Sequence, residues 1–301
     1  MNKVSVIMPT YKRSDMLDRA IHSVLNQTYS NVEVVVIDDN DPQSSWRITT
    51  EKKMKQYAGD SRVKYVRHEC NKNGSAARNT GIREATGEII TFLDDDDMYK
   101  PDKIAKEVEY LESHNQFRAV YCGWYRDGYN ILPEGEGDLS YGILSGYNLI
   151  ITNTIMMWKR DAIECGGWDE NLTRHQEAAF LLNFFRYGGL IGRIGEVLVE
   201  FDTSDRANVA KAELNESQLM YFLKSNKDLI QRCEESHEGD AAKIYSSRYF
   251  GIVLPYMKNG QYTKAFAKYT KFFFRMPLPM LRVAFKYIKR RMSSDYIKQT
   301  R

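Results

Sequence analysis

Along the first 115 residues, short apolar runs alternate with longer stretches whose apolar positions recur every three or four residues. Val4 to Met8, closed by Pro9, predicts a buried strand, and Met16, Leu17, Ala20, Ile21, Val24 and Leu25 predict a helix over Ser14 to Asn26. Val32 to Ile37 predicts a second fully buried strand, stopped by the turn-forming run Asp38–Asp39–Asn40–Asp41–Pro42. The same reading places a helix over Trp46 to Tyr57 and a strand over Val63 to Val66. After the Asn73–Gly74 loop signal it predicts a helix to Glu84, with Ser75 as its cap. Glu88 to Leu93 predicts the next strand, and Pro101 opens a helix to about His114.

Strand and helix in strict alternation predict an α/β fold, a parallel sheet with helices on both faces. Ligands in such sheets bind beyond the carboxyl ends of the strands. Three of those ends are polar here: Pro9–Thr10–Tyr11, Asp38–Asp39, and Asp94 to Asp97. Beyond residue 115 the pattern is mixed, with strands expected at Ala119 to Trp124, Ile150 to Trp158 and Val197 to Phe201, and a helix at Glu177 to Arg186. From about Asn215 everything reads as helix, so the expected division is a catalytic domain over 1–210 and a helical extension over 211–301.

The 301 residues are 43% hydrophobic and 28% charged, which predicts a packed core rather than disorder. No apolar run reaches the roughly 18 residues that span a bilayer, and no secretory signal precedes the first strand, so a cytoplasmic location is expected. Cys70, Cys122, Cys165 and Cys233 are widely spaced and form no C-x-x-C pair, which predicts idle thiols rather than a zinc site or disulfides.

Four consecutive aspartates repel one another unless a cation or water offsets their charge. Their oxygens suit Mg²⁺ or Mn²⁺, which also chelate diphosphates; the other reading is a solvated acidic turn before Pro101. Asp38 and Asp39 could accept hydrogen bonds from a base or ribose, and Tyr11 could stack on a base. Neither G-x-G-x-x-G nor G-x-x-x-x-G-K-[ST] is present, which removes the usual dinucleotide and P-loop signatures.

The stretches VSVIMPTYKR at 4–13, AIHSVLNQTYSNVEVVVIDDND at 20–41, NGSAARNTGIREATGEIITFLDDDDMYKP at 73–101 and GGWDENLTRHQEAAFLLNFFRYG at 166–188 together resemble the family 2 glycosyltransferases. That resemblance implies the GT-A fold and inverting transfer from a nucleoside-diphosphate donor, a UDP-sugar by expectation. The acceptor would be a glycan or an undecaprenyl-diphosphate-linked molecule in surface polysaccharide synthesis. It implies a donor-binding set of Pro9, Thr10, Tyr11, Arg13, Asp38, Asp39, Gly74, Arg78, Asn79, Asp94 and Asp95. Asp94 and Asp96 match the D-x-D motif, with Asp96 as the direct ligand of Mn²⁺ or Mg²⁺ and Asp95 beside the sugar or ribose. Gln176–Glu177 falls where the family commonly has Glu-Asp or Gln-Asp, which makes Glu177 the expected catalytic base and a departure by one methylene. Asp169 and Glu170 are fallback bases.

His175 could contact acceptor or diphosphate, and Trp124, Trp158 and Trp168 could stack on sugars or pack the core. A sugar-nucleotide nucleotidyltransferase is the rival enzyme class, but it would carry a Gly-rich loop where this chain has Pro9–Thr10–Tyr11–Lys12–Arg13. A non-catalytic, membrane-attached nucleotide-binding module is the other alternative.

Charge alters the picture at the far end. Lys271 to Arg301 holds nine Lys or Arg against Asp295 alone, whereas the whole chain has a net charge of only +3. From Met280 to Met292, Leu281, Ala284, Phe285, Ile288 and Met292 share one side of a helix, with Arg282, Lys286, Lys289 and Arg290 beside them. Peripheral contact with an anionic membrane and docking on the body are both open readings. No nucleic-acid recognition module surrounds the tail, and a helical C-terminal region could support a homodimer.

Overall fold

The computed structural model describes residues 1–204 and 211–292, the last three as backbone only. They form two compact units, 1–139 with 148–204 and 140–147 with 211–292. The boundary expected at residue 210 falls outside the described residues.

The first unit opens with β1 (Val4–Thr10), α1 (Ser14–Leu25), β2 (Val32–Asp38), α2 (Ser45–Met54), β3 (Val63–Arg67), α3 (Gly74–Glu84) and β4 (Ile89–Phe92). It continues through β5 (Met98–Tyr99), α4 (Lys103–Ser113), β6 (Ala119–Arg126) and β7 (Tyr129–Ile131). After α5 (Ser140–Ser145), which belongs to the second unit, come β8 (Ile155–Trp158), α6 (Lys159–Glu164), α7 (Gln176–Arg186) and β9 (Ile191–Glu200). The strands join one sheet in the order β3-β2-β1-β4-β8-β6-β9-β5, with β7 on β6. β3, β2, β1 and β4 run parallel, β8 is antiparallel to both neighbours, and β6 pairs parallel with β9. Thr10 lies opposite Asp38 and Ile7 opposite Phe92, so the three polar strand ends lie along one edge of the parallel half.

Burial explains why these runs form strands. Val34, Val35, Val36 and Ile37 of β2 are fully buried, as a strand covered on both faces requires. α1 buries Leu17, Ala20, Ile21 and Val24, a single helical stripe. Three expectations shift locally, one of them at β9, which begins at Ile191 rather than at the expected Val197. Asn73, not Ser75, caps α3, its side chain accepting from the Ala76 N–H at 3.2 Å. Only Ile155–Trp158 of the expected Ile150 to Trp158 strand is extended; a tight turn at Thr152–Thr154 precedes it, and Asn153 in that turn is used elsewhere.

Glu33 is the one acid in β2 before its end, and its burial is offset by four donors. It accepts from Ser5 Oγ at 2.5 Å, Thr86 N at 2.6 Å and Thr86 Oγ1 at 2.8 Å, and pairs with Lys3 at 2.7 Å. Burial raises its pKa, but these donors outweigh that and hold it at about 2. A depressed acid pKa stabilises the fold above the unfolded value and loses that contribution as pH falls toward the folded one. Glu33→Gln is therefore expected to cost on the order of 2 kcal/mol at pH 7. Thermal melts of wild type and variant should converge by about half of that gap near pH 3. A pH-independent gap would mean that the Glu33 charge does no stabilising.

The second unit is helical, with α5 joined by α8 (Ala212–Ser225), α9 (Lys227–Ser236), α10 (Asp240–Lys258), α11 (Tyr262–Arg275) and α12 (Pro277–Met292). Arg248 of α10 donates to Leu144 O at 2.6 Å and also to Ile143 O, while Ser247 Oγ donates to Ser145 O at 2.7 Å. The carbonyls left open at the end of the six-residue helix α5 are thereby satisfied. Among the described residues no helix is long and apolar enough to cross a membrane.

Candidate active site

The acidic run after β4 is held from behind. Asn153 accepts from Asp94 N at 2.9 Å through Oδ1 and donates to Asp97 through its amide, while Asp202 N donates to Asp97 Oδ1 at 2.6 Å. Asp97 is a brace, buried with its pKa pushed up to about 9 by burial and by the charges of Asp94 and Asp96. Asp95 rises to about 7 through burial, against the pull of Arg13. Asp96 rises to about 6 through burial and Asp94, again opposed by Arg13. The Arg13 guanidinium lies 3.3 Å from Asp95 and also contacts Asp96.

Arg78 of α3 faces the other side of the run. It donates to Asp94 Oδ1 at 2.6 Å and to Gln176 Oε1 at 3.0 Å, and its guanidinium lies 4.9 Å from the Trp168 ring. A Cβ on Gly74 would stand 3.1 Å from that guanidinium and 3.4 Å from Gln176 Oε1, so the bare backbone there permits this approach. Gln176 opens α7, and Glu177 follows in its first turn, where the helix dipole favours a carboxylate. Burial raises the Glu177 pKa and the nearby Asp94 adds to it, while Arg78 and Arg174 pull it down.

Asp38 and Asp39 are used by the protein itself. Asp38 is fully buried, pairs with Arg47 at 3.1 Å and accepts from the Asn40 backbone, the Asn40 amide and the Tyr65 hydroxyl. Asp39 Oδ1 faces His68 Nδ1 at 2.7 Å and Lys72 N at 2.8 Å; its Oδ2 accepts from Asn71 Nδ2 at 2.8 Å and Asn73 N at 3.0 Å. Asp39 thus shapes the loop that enters α3. Asn79 braces the loop after α6, exchanging hydrogen bonds with the backbone of Trp168 and donating to Glu170 at 2.8 Å. Thr10 is buried at the end of β1, next to Pro9, and Tyr11 is partly exposed with Lys12 over its ring at 4.8 Å. Trp124 and Trp168 are core residues, Trp168 stacking on Phe180 at 4.4 Å; Trp158 is half-buried.

Backbone strain gathers in the same loops. Of the four non-glycine residues with positive φ among the described residues, Lys12, Asn73 and His175 (φ of 61°, 87° and 60°) lie in these loops, and Asp127 lies in the β6–β7 turn. The first three sit just after β1, just before α3 and just before α7, and such outliers concentrate where function fixes a loop. Asn40, Arg47 and Asn153 are further members that pattern reading missed. Arg47 alone reaches the carbonyls of Asp38, Asn40 and His68. Only Asn153 carried a sequence signal, as a polar residue between the apolar runs 149–151 and 155–157.

Among the described residues, no three His, Cys, Asp or Glu side chains form a set that could hold a metal ion. A divalent ion here would take one or two carboxylates and complete its shell with diphosphate oxygens and water, the usual habit of Mg²⁺ at phosphate sites. The residues fit that pattern: Asp94 and Asp96 offer hard oxygens, and Asp95 Oδ2 is buried without a hydrogen-bond partner.

A sheet of this order, helices on both faces and an acidic turn after β4 define a GT-A-like fold. The mannosyltransferase PcManGT from Pyrobaculum calidifontis, solved with GDP-Man and Mn²⁺, shares the fold with a TM-score of 0.60 at 16% identity, over 99% of this chain and 83% of that one. Residues 5–167 match glycosyl transferase family 2, and the chain belongs to that family of glycosyltransferases. It is 24% identical over 282 residues to the amylovoran biosynthesis glycosyltransferase AmsB of Erwinia amylovora, covering 90% of each chain. It is 28% identical over 160 residues to the Escherichia coli UDP-Glc:alpha-D-GlcNAc-diphosphoundecaprenol beta-1,3-glucosyltransferase WfaP, covering 52% of this chain and 61% of that one. An uncharacterized glycosyltransferase of Rickettsia felis is 41% identical over 113 residues, only 18% of its length.

Proposed function

We propose that this enzyme transfers a sugar with inversion from a UDP-sugar to a glycan or lipid-linked acceptor in polysaccharide assembly, with Glu177 as base and Asp96, aided by Asp94, as metal ligand. The observation that carries this reading is Arg78, one guanidinium within hydrogen-bond distance of both Asp94 and Gln176. It joins the acidic donor end of β4 to the first turn of α7, so that the two halves of the reaction share one cation. The names of AmsB and WfaP support the polymer context, and that of WfaP a UDP-sugar and a lipid-linked acceptor.

In this reading Glu177 takes the proton from the attacking hydroxyl, and burial, which raises its pKa, makes it a stronger base than an ordinary carboxylate. Arg78 orients Gln176 and Asp94 and meets charge developing on the leaving diphosphate. Arg13 supplies a second cation from the β1 side. A bound Mn²⁺ or Mg²⁺ would add Lewis-acid stabilisation of that same charge. Attack opposite the leaving group gives inversion without a covalent intermediate.

UDP release from a panel of UDP-sugars, with and without Mn²⁺, tests the assignment. Metal-dependent release from one or two sugars, abolished in Asp96→Ala, is the expected result. Release that ignores both metal and Asp96 would overturn the metal assignment.

A further inference from the structure

We propose that α11 and α12 form a docking surface for an anionic phospholipid bilayer, lying in the plane of the headgroups. This rests on the second unit alone and is independent of the sugar-transfer reading. The inward sides of the two helices are settled: Ala265, Phe272 and Met280 are buried, Phe272 stacks on Tyr249 at 4.1 Å, and Tyr287 meets Phe250 at 5.3 Å. The outward sides are apolar as well. Leu278, Leu281, Phe285 and Ile288 follow one another at helical spacing with exposures of 67%, 40%, 71% and 53%, and Phe266 and Phe274 of α11 are 70% and 81% exposed. Scattered exposed apolar residues are ordinary, but a continuous row of large ones marks an interaction surface.

Charge identifies the partner. Between Ala241 and Ser294 the sequence has twelve Lys or Arg and no Asp or Glu. Lys264 and Lys268 of α11 are paired with Glu213 and Glu216 of α8. Lys271, Arg275, Arg282, Lys286 and Lys289 are exposed, and none has an ion-pair partner among the described residues. Basic residues interleaved with protruding Phe, Leu and Ile fit a surface that is anionic outside and hydrocarbon just beneath. A phosphate backbone would leave the aliphatic row unused. A second copy meeting this face would bring two acid-free basic surfaces together, which like-charge repulsion opposes. The contact extends the expected Met280 to Met292 helix: α11 joins it, and Ala284 turns out half-buried rather than on the outer row. The side chains of Arg290 and Met292, also expected there, lie outside the described residues.

Flotation of the full chain with vesicles tests this directly. Phosphatidylcholine vesicles carrying about a third phosphatidylglycerol should retain the protein, pure phosphatidylcholine should not, and high salt should release it. Phe274→Ser with Phe285→Ser should weaken partitioning at least about tenfold, as should Arg282→Glu with Lys286→Glu. All four side chains are exposed, so circular dichroism and thermal melting should match wild type. Phe285→Trp should be quenched by brominated acyl chains in the anionic vesicles. No retention on anionic vesicles, equal retention on neutral ones, wild-type partitioning by either double variant, or no quenching of Phe285→Trp would overturn the proposal.

Discussion

Glu177→Gln is expected to slow turnover by about 10²–10⁴-fold with little change in donor KM, because a general base contributes in that range and acts on the acceptor side. The substitution keeps size and removes only the proton-accepting charge. Glu177→Asp separates this role from a structural one. Shortening by one methylene leaves a competent carboxylate set back from its target, so intermediate activity is expected. UDP release at saturating donor, and transfer once an acceptor is in hand, measure both variants. If Glu177→Gln stays within a few-fold of wild type in transfer, the base is another residue, and Asp169 and Glu170 become the residues to test. Arg78 sharpens the comparison. It draws the Glu177 pKa down against burial, so Arg78→Ala should move the acidic limb of the pH–rate profile upward.

The largest stability effect is expected at Lys103 and Glu107. Both are fully buried on α4 and lie 2.5 Å apart. Lys103 also donates to Thr91 Oγ1 at 3.2 Å and sits 4.1 Å over the Tyr99 ring. Thr91 and Tyr99 lie on β4 and β5, the strands that flank the acidic run, so this pair anchors the run from beneath. Lys103→Met leaves the Glu107 charge buried without its counter-ion and should cost about 3–5 kcal/mol. Removing both charges, as Lys103→Met with Glu107→Leu, should recover most of that loss, since an apolar pair of similar volume needs no desolvation. Denaturant unfolding of the two variants checks this. A single variant as stable as wild type would mean that the buried acid is neutralised by some other route.

How much of this was legible in the sequence differs from element to element. The first four strands and the helices between them follow from short apolar runs and three-to-four spacing, which are local properties of the chain. β5, β7, α5 and α6 escaped that reading because each has six residues or fewer and is held by long-range pairing rather than by its own periodicity. Asp94 to Asp97 could be found from four adjacent carboxylates, whereas their division of labour could not. Asp97 became a brace because Asn153 and Asp202 reach it from positions 56 and 105 residues away.

Asp38 and Asp39 make the same point. Their identity and their place at a strand end are written in the sequence, but Arg47, Tyr65, His68 and the loop before α3 claim their oxygens through contacts that exist only once three strands align. The family, the alternation of strand and helix, the acidic turn and the strongly basic end of the chain are all legible along the chain alone. Tertiary structure set which polar groups lie buried in hydrogen-bond networks and which stand open. The reason is physical: periodicity and composition act between residues a few positions apart, while desolvation, charge pairing and hydrogen-bond satisfaction depend on neighbours that only folding brings within 3 Å.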